Sequence, residues 1–118
     1  MKLEVGMYVR YQYEEIVYIG KITFISEIMC GLDETLEIDI DNCIEPILKR
    51  NIIKEPSYNI IDLIEVGDYV NGGQVREKVE DYIRISGGNF MFQYLKENEI
   101  KSIVTKEQFE SMSYKIGD

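Results

Sequence analysis

Apolar and polar positions alternate along the chain with a period of two, in short runs punctuated by glycine, asparagine and proline, a pattern that predicts strands and tight turns. The cleanest run is Leu36-Glu37-Ile38-Asp39-Ile40-Asp41. Its apolar residues share one face and its acids the other, so one side is buried and one is wet. The pattern is also written twice. The segment Leu63-Ile64-Glu65-Val66-Gly67-Asp68-Tyr69-Val70 repeats the opening Leu3-Glu4-Val5-Gly6-Met7-Tyr8-Val9, with Val66 placed 61 residues after Val5. Each copy sets a glycine turn directly before a short strand. A second strand follows in each, residues 20–25 with Ile22 and Phe24 on one face, and residues 73–79. These lie only 53 residues apart, so the first copy carries an insertion of about eight residues within residues 10–19.

Each copy then predicts a hairpin. In the second, Tyr82-Ile83-Arg84-Ile85 leads through a Ser86-Gly87-Gly88-Asn89 turn to Phe90-Met91-Phe92-Gln93-Tyr94. In the first, Ile28-Met29-Cys30 leads through a Gly31-Leu32-Asp33-Glu34 turn to the acidic strand. A polar link, residues 42–46 or 96–99, precedes a closing strand at residues 51–54 or 101–104. Pro56 ends the first copy. Apolar Ile60, Ile61 and Leu63 then predict a packed joint between the copies rather than a tether. Near the end, Thr105 stands as an N-cap with Gln108 completing a capping box, Val104 is placed to staple against Phe109, and Phe109 and Met112 share a helical face. Two turns of helix are unstable alone, so this helix must dock, over the end of a unit or over the seam.

Composition supports a β-rich fold. Ile, Tyr and Val are abundant while Ala, His and Trp are absent, and 118 residues suffice for one domain or two very small ones. The net charge of −9 argues against direct binding of a phosphate backbone, which needs a Lys/Arg surface, and favours a basic protein partner or plain solubility. Two cysteines, Cys30 and Cys43, with no leader-like or spanning-length apolar run, lead us to expect a cytoplasmic protein with free thiols and no membrane contact. A disulfide between the two is left open.

Candidate chemistry is sparse. Without histidine the usual bases for serine or cysteine nucleophiles and most zinc sites are missing, and the acids around Asp33 lack the glycine and closing glutamate of a calcium loop. The paired glycines 72–73 and 87–88 sit between strands, where they make turns rather than phosphate cradles. We therefore expect no catalysis, no metal and no cofactor. Asp33, Glu34, Glu37, Asp39 and Asp41 form the densest acidic cluster, either a stripe that mimics a nucleic-acid backbone to occupy a basic groove or a solvated strand face protecting an edge. Tyr11, Tyr13 and Tyr18 in the insertion, beside Tyr8, are either a groove for an extended peptide or core.

The order strand, loop, three-stranded meander, short turn, last strand resembles small SH3-like barrels. The resemblance implies two tandem barrels by internal duplication, residues 1–56 with the aromatic loop and residues 57–118 with the helix. The segment Glu65-Val66-Gly67-Asp68-Tyr69-Val70, the ending Val104-Thr105-Lys106-Glu107-Gln108-Phe109-Glu110-Ser111-Met112 and the Ile/Lys/Glu/Asn/Tyr-rich composition resemble the small acidic accessory proteins of phages and mobile elements of low-GC Gram-positive bacteria. That resemblance implies a non-enzymatic inhibitor or adaptor of the anti-CRISPR kind, occupying a host protein's basic nucleic-acid-binding surface. Two alternatives stay open. One is an assembly protein that self-associates or docks on a phage particle. The other is a small-ligand protein with its pocket at the seam between the barrels.

Overall fold

The computed structural model describes residues 2–30, 33–87 and 91–112, with backbone alone at residues 29, 30 and 33–35. Among the described residues nine strands and a short helix follow in order: β1 (Tyr8–Tyr13), β2 (Ile16–Cys30), β3 (Asp33–Ile40), β4 (Ile47–Leu48), β5 (Tyr69–Val70), β6 (Gly73–Val79), β7 (Tyr82–Ser86), β8 (Phe92–Lys96), β9 (Ile103–Val104) and α1 (Lys106–Met112). They build two curled antiparallel sheets, one ordered β1-β2-β3-β4 and the other β8-β7-β6-β5-β9. Each sheet curls into a half-barrel around its own apolar cluster rather than closing on itself.

The repeat is visible residue by residue. Val9 lies opposite Gly20, as Val70 lies opposite Gly73. A bulge between Ile22 and Phe24 recurs between Val75 and Glu77, and Ile38 faces Ile47 as Ile83 faces Leu95. Both edge strands run into a 3-10 turn, Lys49–Asn51 or Glu97–Glu99, tied by a backbone N–H donating to a side chain three residues on. The pairs are Leu48 to Asn51 and Lys96 to Glu99, both at 3.0 Å. The turn glycines Gly6 and Gly67 share a positive φ, 97° and 101°, which a side chain resists.

Three expectations change. The insertion is not a loop but a hairpin, β1 to β2, closed by Glu14 and Glu15 at φ 49° and 70° where the second copy uses Asn71 and Gly72 at 50° and 85°. Phe24 does not share a face with Ile22, because the bulge turns it outward: Ile22 is 1% exposed and Phe24 57%. At residues 51–54 only Ile52 bridges to Tyr11, and the chain returns beyond Pro56 to pair Ser57 with Tyr8. The expected hairpin turns fall in part on residues 31–32 and 88–90, outside the described residues, while Asp33 and Glu34 already belong to β3.

Strand β1 joins the halves because it is packed on both faces. Val9 and Tyr11 enter the first core, while Arg10, between them, is also buried and reaches into the second half. There its guanidinium donates to Asp68 Oδ2 at 2.6 Å and Oδ1 at 3.1 Å and to the Leu63 carbonyl at 3.1 Å. Glu65 and Glu107 approach it at 3.3 Å. Asp68, fully buried, also accepts the backbone N–H groups of Glu65 and Lys106, so a fork-on-carboxylate pair ties β1, the β5 turn and α1 together. Its carboxylates hold the Arg10 guanidinium above its ordinary range, although burial acts the other way. The joint is packed as expected, with Ile61, Leu63 and Ile64 wholly buried.

Helix α1 seals the same seam. The capping box forms as predicted, with Thr105 N–H donating to Gln108 and Gln108 N–H to Thr105 Oγ1, while that hydroxyl donates to the Val17 carbonyl on β2. Phe109 lies flat on Tyr69, ring centroids 4.0 Å apart. Among the described residues no helix is long and apolar enough to cross a membrane.

Candidate partner-binding site

The acidic strand and the tyrosines of the hairpin meet through the link that follows β3. Half-buried Glu37 lies opposite Ser26 and Leu48, and exposed Asp39 opposite Phe24, so the outer face of β2 and β3 sets carboxylates beside an exposed ring. Asp41 stands just beyond β3, exposed, with Oδ1 accepting the Lys21 N–H at 2.7 Å. Asp33 and Glu34 begin β3 at the far end of the hairpin, opposite Cys30 and Met29, and about 20 Å of strand separates them from Asp39. The five predicted acids are therefore one strand long rather than one cluster, and Asp41 is the one that adjoins the link to the tyrosines.

Tyr11 and Tyr18 are paired across β1 and β2, with stacked rings 5.6 Å apart. Tyr11 is core and only floors the site. Burial pushes its hydroxyl well above the ordinary phenol range, helped by Cys43. Tyr13 reaches further out, its hydroxyl donating to Glu45 Oε2 at 2.6 Å. That bond to a carboxylate, first among the causes, pushes its pKa up to about 12. With Cys43 and Ile44 these rings enclose a pocket of about 320 Å³, and Ile44 stands fully exposed at its lip. Asn42 borders both this pocket and a groove of about 400 Å³ on the seam, lined by Lys21 from the first half and by Lys101 and Ser102 from the second.

Among the described residues no three His, Cys, Asp or Glu side chains gather to hold a metal. Cys43 is a free thiol donating to the Glu45 carbonyl. What the pocket offers is tyrosine faces and a carboxylate at one rim, suited to a cationic or extended side chain. The sequence pattern set Phe24 on the face of Ile22, the bulge that turns it outward being unforeseen, and read Ile44 and Glu45 as plain linker. An apolar residue inside a polar link was the one available signal. Comparison with family models, curated proteins and solved structures finds no match for the chain.

Proposed function

We propose that this protein is a non-enzymatic inhibitor or adaptor that captures a basic protein surface with its first half. The observation that carries the reading is the junction at residues 41–45, which runs from Asp41, at the end of the acidic strand, directly into Asn42, Cys43, Ile44 and Glu45 of the tyrosine pocket. A Lys or Arg of the partner would enter between Tyr13, Tyr18 and Glu45, exchanging water for ring faces and a carboxylate. Further cations would meet the acidic strand, and Phe24 would supply the apolar anchor such interfaces need. The sequence resemblance supports a phage or mobile-element origin and a host nucleic-acid-processing or defence protein as the target. The strand order β8-β7-β6-β5-β9, with a short turn ahead of the last strand, supports reading each half as an SH3-like unit.

The test is a tagged pull-down from a nuclease-treated lysate of a low-GC Gram-positive host at low and high salt. One basic nucleic-acid-binding protein should be recovered and lost as salt rises. It should not be recovered by the triple variant Glu37→Lys, Asp39→Lys, Asp41→Lys, which loses the Asp41 bond to the Lys21 N–H but keeps the wild-type circular dichroism spectrum. Equal capture by that folded variant would refute the reading.

A further inference from the structure

The repeat supplies an internal comparison of two sheet edges. Because Ile47 and Leu95 hold equivalent places opposite Ile38 and Ile83, Pro46 in the first half stands where Tyr94 stands in the second. The first edge is blunted: β4 is two residues long and Pro46, just ahead of it, has no N–H to offer. The second edge, β8, runs five residues without proline.

Its open side can be read from the hydrogen bonds. The Met91 carbonyl accepts the Gly87 N–H on the side of β7, whereas the Lys96 N–H turns away from β7 to Glu99. Strand alternation then aims the N–H and C=O groups of Phe92 and Tyr94 outward. Among the described residues no strand pairs with that side. Phe92 and Tyr94 are 54% and 57% exposed, yet their rings are held in place. The Arg84 guanidinium sits 4.4 Å from the centroid of Phe92, and Tyr82 meets Tyr94 edge-on at 5.5 Å. Rings already ordered lose little freedom on contact.

We propose that β8 is a self-association edge, where a second copy of this chain pairs antiparallel about a twofold axis at Gln93. In that register Phe92 of each copy faces Tyr94 of the other. Each of these N–H groups donates to the C=O of its counterpart, giving four hydrogen bonds that consume the four free donors and leave Lys96 capped by Glu99. The four rings form one stripe across the joint, and the two Gln93 amides face each other on the opposite side. Residues 91–95 carry no charge in a chain of net charge −9, so two copies can approach here without opposing like charges in the overlap. The area is small. Half-exposed aromatics contribute roughly 100 Å² each, and with Met91 roughly 300 Å² per copy, well below what a stable complex buries. The dimer is therefore weak and concentration-dependent. It is independent of the site on the first half.

Sedimentation equilibrium of the full chain from about 10 µM to 1 mM tests this, together with amide NMR across the same range. The average mass should climb from 13.8 kDa toward twice that value, with the Phe92, Gln93 and Tyr94 amides shifting most. Tyr94→Pro, which copies the first half's edge, and the double change Phe92→Glu, Tyr94→Glu should each hold the mass at one copy with an unchanged circular dichroism spectrum. A monomer at 1 mM overturns the proposal, as does association that survives the folded double variant.

Discussion

Asp68→Ala is the sharpest probe of how the halves are joined. The change removes the acceptor of two Arg10 bonds, at 2.6 and 3.1 Å, and of the Glu65 and Lys106 N–H groups at 2.8 and 3.0 Å. Arg10 is 1% exposed and cannot turn to water. Removing one partner of a buried ion pair costs about 3–5 kcal/mol. The lower end applies, because Arg10 retains the Leu63 carbonyl and the partly exposed Glu65 and Glu107. A loss of about 3 kcal/mol is a large share of the roughly 6–18 kcal/mol expected for a chain this long, and it should lower a urea midpoint by about 2 M. Added salt should not change the difference, since buried pairs escape screening. The double variant Arg10→Met, Asp68→Leu removes both charges at similar volume and should recover at least half of the loss. A single-variant loss under about 1 kcal/mol, or a double variant as unstable as the sum of its parts, would refute the view that an uncompensated buried cation is the cost.

Two further outcomes follow from particular residues. Glu14→Asn with Glu15→Gly gives the β1–β2 turn the residues its left-handed backbone favours, and should add about 1 kcal/mol, a rise of roughly 4 °C in melting temperature by calorimetry. Tyr13 holds its proton up to about pH 12 in the folded protein and to about 10 unfolded. Its folded-state pKa is the raised one, so its contribution is intact below pH 10 and fades between about pH 10 and 12. Carbon NMR of labelled tyrosine should show the Tyr13 ring titrating late and returning toward the ordinary range in Glu45→Gln, and unchanged Tyr13 titration in that variant would dismiss the bond to Glu45 as its cause.

Much of the fold was legible because repetition makes a weak signal strong. The motif of glycine, one variable residue, tyrosine and valine, the offsets of 61 and 53 residues, the inward Ile83 and Ile85, the packed joint and the capping box all read from local pattern, and all hold in the structure. What escaped reading depends on the partner face. Arg10 looked like one more polar residue of an insertion, because alternation assumes a wet side and β1 has none at residues 9–11. The Glu14-Glu15 turn carries none of the usual Asn-Gly chemistry, so a hairpin passed for a loop. The bulge that exposes Phe24 leaves no mark in a β-rich run. At the candidate site the residue types were legible, but the meeting of Tyr13 with Glu45 is a contact between strand and link that no spacing encodes.

A strand packed on both sides also sets an order of events. Arg10 is made early, whereas its carboxylates follow 55 residues later at Glu65 (65 − 10), 58 residues later at Asp68 and 97 residues later at Glu107. At roughly 5–20 residues per second, several seconds of synthesis separate the cation from its first neutralising partner. Through that interval the first half holds a charge it cannot bury, so β1 cannot settle until the second half has been made. Folding of the beginning of this chain is timed by the arrival of its end.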